Sequence, residues 1–190
     1  MGKVASIAAA LMALVLPAAL QAELPVGAVA PDFTVQSAMA GKVESFNLRA
    51  ALRRGPVVLY FFPKAFTKGC TLETRAFAEA MGQFHAAHAT VIGMSADDLP
   101  TLQRFSTEEC RSKFPVAAAT PAVVRAYDVA MRREALPAAM QAQIPAGLTD
   151  RTSYVIAPDG RITFVHSDLD YRDHVRLTLA AVQALRSRHS

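Results

Sequence analysis

The chain has 190 residues, 52% of them hydrophobic and 19% charged, which is enough length and apolar content for one domain with a substantial core. Its formal charge of +4 is diffuse, with no Lys/Arg run and no interleaved aromatics, and this excludes nucleic acid as a partner. Two cysteines, Cys70 and Cys110, are too few for a disulfide framework; without Cys-x-x-Cys, Cys-x-x-x-Cys or a Cys/His cluster they offer no thioredoxin-type dithiol, copper site or zinc site.

Met1-Gly2-Lys3 is a short basic start, Val4 to Leu16 is apolar or small throughout, and Ala18-Ala19-Leu20-Gln21-Ala22 supplies small residues for cleavage. This is the layout of a secretory signal peptide over residues 1–22. The apolar run is shorter than the roughly 20 residues of a membrane span, so no stable membrane insertion is expected after processing. Cleavage would remove Lys3 and no acid, lowering the formal charge from +4 to +3. Residues 23–190 then form a single domain, periplasmic or secreted, in a compartment where disulfides persist.

Val26 to Phe33 leads into a short strand predicted at Phe33 to Val35. After the Gly41-Lys42 turn, Val43 to Leu48 returns as the second strand of a hairpin. Ala50 to Arg54 reads as a short helix or turn closed by Gly55-Pro56. Val57-Val58-Leu59-Tyr60-Phe61-Phe62 is a continuous apolar run, the mark of a strand buried on both faces. A long helix is predicted from about Cys70 to His88, with Phe77, Met81 and Phe84 near helical spacing. Thr90–Ser95 is the next strand, and Asp97-Asp98 cap a helix from Leu99 to about Cys110 with Pro100 near its first turn.

Phe114-Pro115-Val116 reads as a short extended piece and Pro121–Tyr127 as a short helix. Residues 132–150, rich in Ala, Pro and Gln, read as a loop with one helical turn around Ala138–Gln141. Thr152–Ile156 and Arg161–His166 form a hairpin about the Pro158-Asp159-Gly160 turn. Asp170 or Asp173 starts a last helix running to about Arg186 on the stripe Val175, Leu179, Val182, Leu185. These elements make an α/β protein with a central mixed sheet and helices on both faces.

Cys70 is the candidate reactive group. It sits where the central strand crosses over to open a helix, so free backbone N–H groups and the positive end of the helix dipole favour its thiolate. Lys68 adds positive charge two residues earlier. Helix-start cysteines with basic neighbours have pKa values of roughly 3.5–7.5, and the thiolate is the nucleophile. Glu73, three residues further on, reads as a helix-start cap. The five histidines, His85, His88, His166, His174 and His189, form no cluster with the cysteines.

The segment Pro63-x-x-x-Thr67-x-x-Cys70 resembles the signature of the peroxiredoxins, and Gly69-Cys70-Thr71-x-Glu73 looks most like the PrxQ (bacterioferritin-comigratory-protein) branch of the AhpC/TSA-like proteins. Gly27-x-x-Ala30-Pro31-Asp32-Phe33 is similar to the start of the family's domain, and the weaker resemblance runs from about Val26 to the C-terminus. The resemblance implies a thioredoxin-like fold with an N-terminal β-hairpin extension. It implies a thiol peroxidase acting on hydrogen peroxide or an alkyl hydroperoxide, recycled by a thioredoxin- or glutaredoxin-like reductant. It implies a monomer and no cofactor, metal, haem or flavin.

The resemblance also places Arg151, which opens Thr152-Ser153-Tyr154-Val155-Ile156, over the reactive thiol. There a guanidinium would favour the thiolate and hold the peroxide oxygens by forked bonds. Thr67 would accept from the peroxide and donate to the thiolate, and Pro63 would wall the thiolate from water. The chain departs from the PrxQ pattern five residues after Cys70, where a second cysteine is common and Arg75 stands here. Ala65-Phe66 and Lys68 replace the acidic residues and proline of relatives. Cys110 is thus the only cysteine in the chain able to resolve an oxidised Cys70. The competing reading is a non-catalytic exported thioredoxin-fold binding protein with a structural Cys70–Cys110 disulfide, which gives Pro63, Thr67 and Arg151 no task.

Overall fold

The computed structural model describes residues 23–187 apart from Pro137 and Gln143; the leader expected over residues 1–22 lies outside them. Among the described residues, seven strands make one mixed sheet: β1 (Thr34–Met39), β2 (Lys42–Asn47), β3 (Val57–Phe61), β4 (Thr90–Ser95), β5 (Val116–Ala118), β6 (Thr152–Ile156) and β7 (Ile162–Ser167). Their order across the sheet is β2-β1-β5-β4-β3-β6-β7. The helices are α1 (Leu48–Leu52), α2 (Lys68–Ala86), α3 (Leu99–Glu108), α4 (Pro121–Ala126), α5 (Ala138–Gln141) and α6 (His174–Ser187). This is the α/β mixed sheet expected from the residues and the thioredoxin-like arrangement that the resemblance implies.

β3 organises the molecule. All five of its residues are buried, and their side chains alternate between the two faces, as the two-residue strand period requires. Val58 and Tyr60, with Phe62 following, enter the core under α2, α3 and α6, where Phe77, Met81, Phe105 and Val182 meet them. Val57, Leu59 and Phe61 enter the opposite core with Leu48 and Leu52 of α1 and Val123 of α4. β3 runs parallel to β4 and antiparallel to β6.

Three boundaries differ from expectation. The first strand extends to Met39 because β2 pairs along its whole length, Thr34 opposite Asn47 through Met39 opposite Lys42. The extended piece at Phe114–Val116 becomes β5, which lies inside the sheet, antiparallel to β1 and parallel to β4. That insertion joins the N-terminal hairpin to the rest of the sheet. The long helix starts at Lys68 rather than Cys70, with Thr67 at its N-cap in extended backbone (φ −77°, ψ 149°), so Cys70 lies within the first turn.

The two aspartates expected to cap α3 divide the work. Asp98 is the cap, accepting from Thr101 N at 2.9 Å. Asp97 turns back to the loop before α2, accepting from Ala65 N at 2.7 Å and from Ser95 Oγ at 2.8 Å. Asp170 caps a 3-10 turn, Tyr171–Asp173, that runs into α6.

Candidate active site

The site begins where β3 ends. Phe62 still donates to Met94 O at 2.9 Å, and Pro63 then leaves the sheet. The loop is pinned from below by Asp97. Phe66 takes a positive φ of 63°, uncommon for a bulky residue. Its ring lies edge-on to buried Phe105, centroids 5.1 Å apart, with the Arg104 guanidinium 5.4 Å from its own centroid. The loop's shape is therefore held by packing and by one buried carboxylate.

Cys70 is 1% exposed and lies on the side of α2 that faces the start of β6. Arg151 Nη2 donates to its Sγ at 3.5 Å. The guanidinium is itself buried and fixed at two further points: Nε donates to Leu169 O at 2.9 Å, and Nη1 donates to Glu73 Oε2. The sequence thus brings Cys70 and Arg151 together across 81 positions.

Glu73 is the main correction at the site. It was expected to cap the helix, yet it is fully buried and paired with Arg151. The reason is helical: three residues after Cys70 it shares the thiol's face, which points into the protein. Burial pushes its carboxyl up to about 8, against the pull of the Arg151 guanidinium. Burial also works against the charge of Arg151, but Glu73 and Cys70 outweigh it and its pKa is raised.

Thr67 and Pro63 line the same cavity of about 490 Å³ as Cys70 and Arg151. The Thr67 hydroxyl donates to Lys64 O at 2.8 Å, so its proton is committed to its own loop rather than to the thiolate; its lone pairs stay available to a donor. Lys64 lines the cavity as well, and the remaining walls are apolar: Met131, Ile144, Pro145, Leu148 and Leu169. Ile144, Pro145 and Leu148 come from residues 132–150, read as a loop with one helical turn, which forms as α5; the segment is closed at its base where Met131 N donates to Leu148 O at 2.9 Å. Nothing in the composition of that segment marks it as a wall, because the thiol it encloses lies far away along the chain.

Residues 26–165 match the AhpC/TSA family, which is nearly three quarters of the chain. The chain belongs to that family, as a peroxiredoxin of the PrxQ/Bcp type. A Helicobacter pylori peroxiredoxin of the bcp type is 36% identical over 86 residues, covering 45% of this chain and 54% of the relative, so the match spans about half of that relative's length. Peroxidoxin BcpB from Mycobacterium tuberculosis superposes with a TM-score of 0.71 at 26% identity, over 84% of this chain and 97% of its own. A Xanthomonas campestris bacterioferritin comigratory protein, solved for insight into its alkyl peroxide reduction, gives a TM-score of 0.67 at 25% identity over 80% and 92% of the two chains.

Cys110 of this peroxiredoxin is a free thiol, as is Cys70, so the structural disulfide of the competing reading is not formed. Cys110 follows the end of α3 and is 0% exposed, in the same apolar cluster as Cys70. Burial, with the charge of Glu109 beside it, pushes its thiol well above the ordinary value. Three contacts tie its segment to α2: Arg75 Nε to Glu109 Oε2 at 2.5 Å, Arg111 Nη1 to Glu79 Oε1 at 3.3 Å, and Lys113 Nζ to Ala78 O at 3.1 Å. Arg75, which stands where PrxQ relatives often carry a cysteine, is one half of that clamp.

Proposed function

We propose that this chain is a thiol-dependent peroxidase whose nucleophile is Cys70. The observation that carries the reading is the buried Arg151 guanidinium donating to Cys70 Sγ in the first turn of α2. The thiolate attacks one oxygen of a hydroperoxide, forming the S–O bond as the O–O bond breaks. Sulfur is oxidised to the sulfenic acid and the other oxygen leaves as alkoxide or hydroxide, which takes a proton to become alcohol or water. In this reading Arg151 and the Cys70 backbone N–H stabilise the departing charge. Thr67 accepts from the peroxide, and Pro63 keeps water from the thiolate. The Xanthomonas campestris relative and the apolar cavity walls support alkyl hydroperoxides alongside hydrogen peroxide as substrates.

Recycling goes through Cys110. Its thiol condenses with the sulfenic acid to a Cys70–Cys110 disulfide with loss of water, and a thioredoxin- or glutaredoxin-like dithiol reduces that disulfide. Both sulfurs are buried and the Cys110 segment is clamped, so the step requires local unwinding. Arg111 and Ser112 favour opening there, since both hold left-handed backbone at φ 51° and 56°. The protein acts as a monomer, exported by the leader over residues 1–22.

Stopped-flow mixing of the reduced protein with hydrogen peroxide and with an organic hydroperoxide tests the reading through the loss of thiol. Rapid loss of the Cys70 thiol, followed by that of Cys110, with both losses absent in Cys70→Ser, is the expected result. Equal peroxide consumption by Cys70→Ser overturns it.

A further inference from the structure

Behind Arg151 the site continues into a buried polar cluster. Glu73 Oε2 takes the Arg151 bond, but Oε1 is buried without a hydrogen-bond partner among the described residues. It faces His174 Nδ1 at 3.8 Å, on a fully buried ring at the start of α6. The same nitrogen lies 2.8 Å from Ser153 Oγ, while Nε2 lies 2.9 Å from the Asp168 carbonyl. A carbonyl only accepts, so Nε2 carries a proton. In the neutral ring Nδ1 is then an acceptor and takes the Ser153 hydroxyl proton. Glu73 Oε1, His174 Nδ1 and Ser153 Oγ are three acceptors around a single hydroxyl proton, and one more proton satisfies them.

Charge points the same way. Arg151 is one buried cation against two groups that ionise to anions, Cys70 and Glu73. Thiolate and carboxylate together would leave a net negative charge in a buried place, which is costly. We propose that Glu73 and His174 share one proton whenever Cys70 is a thiolate, with His174 as a positioning residue that keeps the Arg151 charge directed at sulfur. The balance closes: as Cys70 loses a proton the pair gains one, and total charge is unchanged. When the thiolate is consumed, Cys70–S⁻, the protonated pair and ROOH become Cys70–SOH, the ionised pair and ROH.

Burial acts on both partners in the required sense, raising the Glu73 carboxyl to about 8 and lowering the His174 imidazole to about 4, so that each favours its neutral form. The groups facing the pair are Arg151 and Ser153 at the start of β6, Asp168 after β7, and Cys70 on α2. The His166 ring of β7 lies tilted against that of His174 with centroids 4.5 Å apart, and Tyr60 of β3 is reached through Thr74.

The inference rests on the peroxidase reading for its purpose but is tested without peroxide. His174 Nδ1 is followed by nitrogen-15 NMR against pH in the reduced full chain and in Cys70→Ser. Removing the competing anion is expected to move the loss of the shared proton down by about one pH unit, a tenfold change in affinity. Conversely, the pH at which half of Cys70 is thiolate, read by ultraviolet absorbance, is expected to rise by about one unit in His174→Gln, which hydrogen-bonds but holds no extra proton. Identical Nδ1 titrations in the two proteins overturn the inference, and they do so even if His174→Gln fails to fold. A protein with coupled titrations that consumes no peroxide sinks the peroxidase reading alone; turnover with uncoupled titrations sinks this inference alone.

Discussion

Gly69 separates the chemistry of the site from its stability. A Cβ built at this position lies 3.3 Å from Arg151 Nη2 and 3.9 Å from Tyr171 Cδ1. Nη2 is the nitrogen that donates to Cys70 Sγ, and its 3.5 Å separation leaves little room for lengthening. Arg151 has nowhere to retreat, since Leu169 O and Glu73 hold its other nitrogens. Gly69→Ala must therefore displace the Nη2 donor by a few tenths of an ångström. Complete loss of a preorganised donor costs about 10²–10³ in rate, so partial displacement is expected to slow peroxide attack about tenfold. Gly69 lies in the first turn of α2, where alanine gains about 0.5–1 kcal/mol of helix stability over glycine. The variant should be as stable as the parent, or more so, while reacting more slowly. Stopped-flow thiol oxidation and urea unfolding on the same preparations measure both. A Gly69→Ala protein with the parent rate would refute the claim that Nη2 placement governs reactivity.

Arg151→Ala removes the donor outright and is expected to lower the second-order rate by about 10²–10³, a loss that Arg151→Lys should not recover because the fork to Glu73 and Cys70 is gone; full activity in the lysine variant would contradict this. Cys110→Ser should leave the first oxidation near its original rate and stop the Cys70–Cys110 disulfide, which mass mapping after one equivalent of peroxide detects; persistent sulfenic acid with Cys110 free in the parent protein would point to an outside thiol instead. Arg75→Ala opens one side of the clamp on the Cys110 segment, a half-exposed ion pair worth up to about 1 kcal/mol, so disulfide formation should quicken about threefold to fivefold. Folded Glu73 and His174 hold one proton between about pH 4 and about 8, whereas unfolded groups with ordinary values of 4.5 and 6.5 hold one between those values and none above. Stability should therefore fall from pH 6.5 towards 8 by at most about 1.4 kcal/mol per pH unit, and urea midpoints of Glu73→Gln should lack that fall. Gly93→Ala drives a Cβ to 2.6 Å from the Tyr60 ring, which is stacked on Phe77 at 4.3 Å, and is expected to cost about 1–3 kcal/mol by urea unfolding.

Much of this protein is written locally. The apolar run Val57–Phe62 reads as a strand covered on both faces, and its first five residues form β3 inside the sheet. The stripe Phe77, Met81, Phe84 and the Asp98 cap set helices close to where the sequence places them, because caps and periodicity act within one or two turns. The motif around Cys70 was legible for the same reason: strand, loop and helix start lie within about a dozen residues. Tertiary structure decided everything that depends on what stands opposite. β5 has three unremarkable residues, and only its partners β1 and β4 make it an interior strand. Glu73 reads as a cap from its neighbours in sequence, yet Arg151, 78 positions away, meets it in a buried place. His174 lies among exposed-looking charges in the chain and becomes a buried neutral imidazole only when α6 closes over β6. Desolvation is set by the whole fold, so the groups whose chemistry it changes most are those that local pattern describes least.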